Sequence, residues 1–364
     1  MTMKNLVRDN IADLTPYKAG KPIEETKRQF KLSKIIKLAS NENPLGPSPK
    51  AAAAIQRCLS RVNRYPDSQS FYLKNELAKQ LKVLPENIVF GNGSDELIDI
   101  IIKTFVNDDE FILTSQVTFL EYEIIAKVNG KLIRTVPLKD FTYDLDALVR
   151  AANNKTKLIF IANPNNPTGT YITKAQLERF LSRLPQNVIV VLDEAYDLFI
   201  DVDDYPDSLN YLKNNVIILK TFSKAYGLAG LRVGYALASN RFTPFMEKTR
   251  QPFNINTLAQ AAARAALRDK GFLRKTRDIT LEGKHYLYKA LDQMGLRYVP
   301  SVANFILIDT GRDGVKLFQE LLKKGVIVRD MQQYGLKDFI RVSIGTMSEN
   351  RIFVSTFKKV LNKH

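Results

Sequence analysis

Tryptophan is absent from the 364 residues, cysteine occurs once, at Cys58, and histidine twice, at His285 and His364. A single thiol excludes an internal disulfide framework and any zinc cluster built on cysteine, and two histidines cannot make a histidine-rich metal site, so no metal is expected. The composition fits a reducing compartment. Also missing is any apolar run near the roughly 18 residues that a membrane span needs. At the N-terminus Lys4, Arg8, Asp9 and Asp13 interrupt the apolar residues where a secretory leader needs a continuous core. A cytoplasmic protein with no membrane role is expected.

Charge of one sign is in excess: 54 Lys and Arg stand against 38 Asp and Glu, a formal net charge of +16. Basic residues are dense over 21–37 and 264–284, but Glu24, Glu25, Asp269, Asp278 and Glu282 are mixed among them, as on solvated helical faces. A nucleic-acid module would add a base-reading or stacking motif to its basic patch, and none is present, so no nucleic-acid partner is expected. With 45% hydrophobic and 25% charged residues the chain is an ordinary globular one. Its length exceeds the roughly 150 residues of a single domain.

The middle of the chain alternates short β-branched runs with longer helical segments, the mark of βαβ units. KLIFIA (157–162), VIVVLD (188–193) and VIILKT (216–221) are nearly continuous in apolar residues, as parallel strands buried on both faces are. NIVF (87–90), a glycine loop GNGSDE (91–96) and the apolar run LIDIIIKTF read as strand, loop and helix, with further strands at 110–114 and 131–136. RVGYALA (232–238) suits a sheet edge or an antiparallel member. These elements make one α/β domain over 40–255. Residues 1–39 and 256–364 would form a smaller α+β unit with an N-terminal arm, its strands at FILID (305–309) and FIRVSI (339–344).

Ligands of an open parallel sheet gather at the carboxyl ends of its strands. There the sequence places NPNNPTG (163–169) after KLIFIA, DEAY (193–196) at the end of VIVVLD, Phe222-Ser223-Lys224 after VIILKT, and the glycine loop after NIVF. Each has a plain structural reading: a turn before a helix, a proline turn, an N-cap aspartate, a solvated lysine. Together, on one sheet edge, they bring amides, a carboxylate, a phenol, hydroxyls and an amine to one place.

Eight stretches in one order, LTPYKAGKP (14–22), NENPLGPSP (41–49), RYPD (64–67), GNGSDE, NPNNPTG, DEAY, SKAYGLAGLRVGY (223–235) and IRVSIGTMSEN (340–350), cover nearly the whole chain. The set resembles the pyridoxal-phosphate aminotransferases of fold type I and, within them, the histidinol-phosphate aminotransferase family. The resemblance implies an α/β fold: a large domain with a mostly parallel seven-stranded sheet sandwiched by helices, and a smaller α+β domain.

The resemblance also implies a site. Lys224 would form a Schiff base with pyridoxal 5'-phosphate and shuttle the substrate proton. Asp193 would keep the pyridine nitrogen protonated. Asn166 and Tyr196 would hydrogen-bond the ring oxygen, and Phe119 would stack on the ring. Amides of Gly93, Ser94 and Asp95, the hydroxyls of Thr221 and Ser223, and Arg232 would hold the phosphate, with Tyr65 reaching in from a partner subunit of a homodimer. Tyr17, Asn43, Arg329 and Arg341 would bind substrate.

Histidinol phosphate, with glutamate and 2-oxoglutarate as the other pair, is the implied substrate. Relatives with the same motifs that transaminate aromatic amino acids or decarboxylate threonine phosphate are the alternatives. The chain departs from the family at Gln116-Val117-Thr118-Phe119, where a proline often precedes the aromatic pair, and at PYKAG, which lacks a second proline.

Overall fold

Residues 6–12, 14–16 and 20–362 are described by the computed structural model, and Tyr17 lies outside them. Strands are numbered in chain order. The first are β1 (Ile36–Lys37), β2 (Ile88–Gly91), β3 (Phe111–Ser115), β4 (Leu132–Val136), β5 (Leu138–Lys139) and β6 (Thr142–Tyr143). The central ones are β7 (Thr156–Ala162), β8 (Ile189–Asp193), β9 (Val216–Thr221) and β10 (Gly234–Ala238). The last are β11 (Arg297–Val299), β12 (Phe305–Asp309), β13 (Val326–Ile327), β14 (Arg329–Asp330) and β15 (Phe339–Ser343).

The main sheet has seven strands in the order β2-β10-β9-β8-β7-β3-β4. Neighbours from β9 to β4 run parallel, and β10 is antiparallel to both β2 and β9. The apolar runs behave as doubly buried strands: Leu158, Ile159, Phe160 and Ile161 are fully inaccessible. Each such side chain contributes about 1.5–3 kcal/mol relative to exposure. β10 is antiparallel, as one of the two readings of 232–238 has it, but it is interior rather than at an edge. Ala236, Leu237 and Ala238 are buried on both sides, and Gly234 lets the β2 loop approach where a Cβ would lie 2.9 Å from the Ser94 nitrogen.

A second, four-stranded sheet, β11-β12-β15-β14, is antiparallel and carries its own core with Leu287, Leu321, Phe353 and Phe357. The N-terminal segment joins it: β1 pairs in parallel with β13, and Ile36, Leu38 and Ala39 enter that core. A division at 255/256 does not follow the cores. The helix Thr257–Leu267 presents Ala259, Ala262, Ala263 and Ala266 to the first core, where its small side chains allow close packing on the helix Pro49–Cys58. The second core begins only within the long helix Lys270–Gln293, at Leu287.

Candidate active site

Because β7, β8 and β9 run in register, Ala162 beside Asp193 and Asp193 beside Leu219, the loops that follow them open on one edge. A cavity of about 400 Å³ lies there, its wall including Ser94, Asp95, Phe119, Asn166, Asp193, Tyr196, Thr221, Ser223, Lys224, Arg232, Arg329 and Arg341. Of the sequence-predicted residues, these twelve are brought together.

Asp193 ends β8 and is 4% exposed. The Tyr122 hydroxyl donates to its Oδ2 at 2.7 Å and the Ala195 amide to its Oδ1 at 3.2 Å. Burial pushes its carboxyl up to about 6 against these stabilising bonds. Tyr122 is held by stacking on Phe160, centroids 4.8 Å apart, and by an edge contact with Phe119 at 5.5 Å. The Tyr196 phenol, also raised by burial and partly offset by Arg341, accepts a hydrogen bond from Asn41 Nδ2 at 2.9 Å. Lys224 Nζ donates to the Ser40 carbonyl at 3.1 Å and lies 5.8 Å from the Tyr196 ring centroid.

One end of the cavity is built for an anion. The helix Ser94–Phe105 begins there with no side-chain cap, leaving first-turn amides and the positive end of the helix dipole at the wall. Gly93 has φ +87°, and a Cβ on it would stand 2.4 Å from Arg232 Nη2. Its own amide is engaged with the Gly91 carbonyl at 2.7 Å, so of the three amides expected to hold a phosphate, those of Ser94 and Asp95 remain. Arg232 bridges to Asp95 Oδ2 at 2.9 Å and donates to the Ala229 carbonyl at 3.2 Å. The Thr221 hydroxyl accepts from the Ser223 amide at 3.0 Å.

The opposite wall comes from the second sheet. Arg329 and Arg341 are register partners on β14 and β15, only 6% and 5% exposed. Arg341 donates to the Asn166 Oδ1 and, at 2.9 Å, to the Ala39 carbonyl, lies over the Phe305 ring at 5.2 Å, and keeps its buried Nε without a partner. Arg329 donates to Gln333 at 3.2 Å. Two guanidiniums side by side in one wall suit an anionic ligand.

Two expected residues fall elsewhere. Asn43 is not in the cavity wall: its amide donates to the Ala225 carbonyl at 2.9 Å and to Thr276 at 3.1 Å, and its Oδ1 accepts from Leu45 at 2.9 Å, so it anchors the segment instead. Tyr65 is 84% exposed and stacks on Phe253 at 4.9 Å, outside the wall. Tyr17 lies outside the described residues. Conversely, Asn41, Ser40, Lys37 and Glu121 line the cavity and Tyr122 supports Asp193, none of them singled out by sequence. Among the described residues no group of His, Cys, Asp or Glu could hold a metal ion, and no helix is long and apolar enough to cross a membrane.

The aminotransferase class I and II sequence family matches residues 33–357. The histidinol-phosphate aminotransferase of Moorella thermoacetica is 46% identical over 357 residues, 97% of this chain and 92% of its own length. Histidinol-phosphate aminotransferase 2 of Hydrogenovibrio crunogenus is 47% identical over 98% of this chain and 96% of its own. The fold superposes on the crystal structure of histidinol-phosphate aminotransferase from Sinorhizobium meliloti in complex with pyridoxal-5'-phosphate with a TM-score of 0.91, at 29% identity and 98% coverage of both chains. Aspartate aminotransferase of Thermus thermophilus, a double mutant at 21% identity, shares the fold with a TM-score of 0.85 over 97% of this chain and 99% of its own. From the glycine cradle to the paired arginines, the chain belongs to the class I and II aminotransferases of fold type I, in the histidinol-phosphate aminotransferase family.

Proposed function

We propose that this protein transfers an amino group between histidinol phosphate and 2-oxoglutarate, with pyridoxal 5'-phosphate as cofactor. The observation that carries the reading is the buried pair Arg329 and Arg341 in the same cavity wall as Lys224. Paired guanidiniums match a phosphate monoester, which bears about −1.5 to −2 charges at pH 7, or the two carboxylates of glutamate. An aromatic amino acid brings a single carboxylate and an apolar side chain, so it offers the pair one anionic group and no second.

The donor set fits the cofactor. Ser94 and Asp95 amides, Thr221, Ser223 and Arg232 would receive its phosphate in a cradle that a Cβ at Gly93 would fill. Asp193, a carboxyl raised by burial, would be relieved by a protonated ring nitrogen. Phe119 would cover the ring, and Asn166 and Tyr196 would reach its oxygen. When bound, the cofactor supplies an electron sink for the carbon that bears the amino group.

The chain's residues do the rest. Lys224 Nζ would hold the cofactor covalently and, when free of it, would take the proton from the substrate carbon that bears the amino group. Asp193 would keep a proton on the ring nitrogen. Asn41 donates to the Tyr196 oxygen, which leaves the phenol proton to point at the cavity. Arg341 and Arg329 would orient the anionic end from the second core, which would close over the first.

The deciding measurement compares kcat/KM for histidinol phosphate, phenylalanine, tyrosine and threonine phosphate with 2-oxoglutarate present. Histidinol phosphate should lead by at least about tenfold, the ~1.4 kcal/mol of one further charged contact. Phenylalanine or tyrosine in the lead would assign the aromatic reaction, and carbon dioxide release from threonine phosphate would assign a decarboxylase.

A homodimer with shared sites belongs to the same proposal. Leu59, Val62, Tyr65, Phe71, Tyr72 and Phe253 are exposed apolar side chains, an unusual set for a monomer's surface. Sedimentation should give twice the chain mass. Tyr65→Phe should weaken cofactor affinity about tenfold, the worth of one hydrogen bond to a phosphate; unchanged affinity would remove Tyr65 from the site. A cytoplasmic setting completes the reading.

A further inference from the structure

Behind the site, on the sheet face away from the cavity, lies a charge cluster, buried at Glu194 and half-buried at Lys220 and Asp197, that the chemistry does not touch. Lys220 sits in β9 between Leu219 and Thr221; strand alternation sends its side chain opposite to Thr221, which lines the cavity. Its Nζ lies 2.7 Å from Glu194 Oε2 and 2.5 Å from Asp197 Oδ2, with the lysine and glutamate side chains 13% and 2% exposed. Glu194 and Asp197 bracket one tight turn, closed by the Asp197 amide on the Glu194 carbonyl at 3.2 Å and tied to β9 by the Glu194 amide on the Leu219 carbonyl at 2.8 Å. Glu194 also accepts from the Ser208 hydroxyl at 2.9 Å.

That turn holds the parts of the site. It carries Tyr196, and it presents the Ala195 amide that binds Asp193 Oδ1. Thr221, Ser223 and Lys224 follow Lys220 directly. One ammonium therefore clamps the strand end bearing the carboxylate and phenol to the strand end bearing the amine. Without it, the buried Glu194 carboxylate and the half-buried Asp197 carboxylate that now share a cation would repel across the turn. Burial opposes the Lys220 charge, yet the Asp197 and Glu194 carboxylates beside it hold its pKa well above the ordinary value.

We propose that Lys220 is a positioning residue for the transamination: its ion triad with Glu194 and Asp197 fixes Asp193, Tyr196 and Lys224 relative to one another. The inference rests on the reading of the cavity as an aminotransferase site. Displacement of about 1 Å at a reacting centre costs up to about 10²-fold in rate.

The test compares Lys220→Met, Lys220→Arg and the charge-neutral combination Lys220→Met, Glu194→Gln, Asp197→Asn as loaded enzymes, with cofactor dissociation constants measured by fluorescence titration alongside. Lys220→Met should lower kcat about 30- to 100-fold with substrate KM changed less than about threefold, and raise the cofactor dissociation constant at least about tenfold. Lys220→Arg, which keeps the cation, should restore both to within about threefold. The combination removes the repulsion, so it folds even where Lys220→Met does not, and should remain at least about tenfold slow for want of the clamp. A lowered melting temperature with native kcat and native cofactor affinity in Lys220→Met, or native turnover in the combination, would overturn the proposal. Should the wild type fail to transaminate at all, the functional reading fails on its own, and the cofactor dissociation constants still decide the role of Lys220.

Discussion

Replacing Lys224 with alanine is expected to remove transamination almost entirely, by at least about 10⁴-fold. A positioned acid–base group alone is worth about 10² to 10⁴, and this side chain also supplies the nucleophilic amine. Its Nζ already stands in the cavity, directed by the Ser40 carbonyl 3.1 Å away. Stopped-flow measurement of the half-reaction with glutamate reads the loss. Borohydride reduction of the loaded wild type followed by peptide mapping should place the cofactor on Lys224, and a label on any other lysine would discard the assignment.

Asp193→Asn should lower turnover about 10² to 10³-fold, by analogy with the loss of a preorganised electrostatic partner, while much of the cofactor binding survives. The same change should act on stability with the opposite sign. In the cofactor-free protein the Asp193 carboxyl is raised from 3.8 to about 6 by burial, so the folded state holds its proton more tightly than the unfolded chain does. Ionisation then destabilises the fold as pH rises from about 4 to 6, by a few kcal/mol above that window. Asparagine escapes the cost and can still accept from Tyr122. Thermal unfolding without cofactor should therefore show Asp193→Asn more stable than wild type at pH 8 and equal to it at pH 4. Wild-type turnover, or lower stability at pH 8, would refute the role given to this carboxylate.

How far the fold was legible varies with the physics of each element. KLIFIA, VIVVLD and VIILKT appear as strands because burial on both faces leaves a continuous apolar run, which period alone reveals. β1 was not foreseen: two residues, Ile36 and Lys37, carry no periodicity, and only pairing with β13 makes them a strand. The helix Thr257–Leu267 is rich in alanine, a strong helix former, yet its alanines say nothing about which core they enter. In the site, ASNEN holds two asparagines two positions apart. Asn41, with φ +55°, turns its amide to Tyr196, while Asn43 turns away to Ala225, and no local pattern distinguishes them. Tyr122 is a core residue with only its hydroxyl reaching Asp193, and nothing in its local pattern marks that contact. Lys220 did leave a signal, a single charge inside VIILKT, since an ionised group in a doubly buried strand needs partners.

The antiparallel course of β10 has a mechanical consequence. A strand that runs against its neighbours starts where they stop, so the loop from Thr221 to Gly234 leaves and re-enters the sheet at the same edge. Lys224 and Arg232 are thus carried by one short loop whose two roots are hydrogen-bonded to each other. The spacing between the amine that would grip one end of a ligand and the guanidinium that would grip the other works as a fixed caliper, set within the first core. Arg329 and Arg341 ride on the second core, so rocking one core against the other would retune the grip on the incoming molecule while leaving the caliper's jaws where they are.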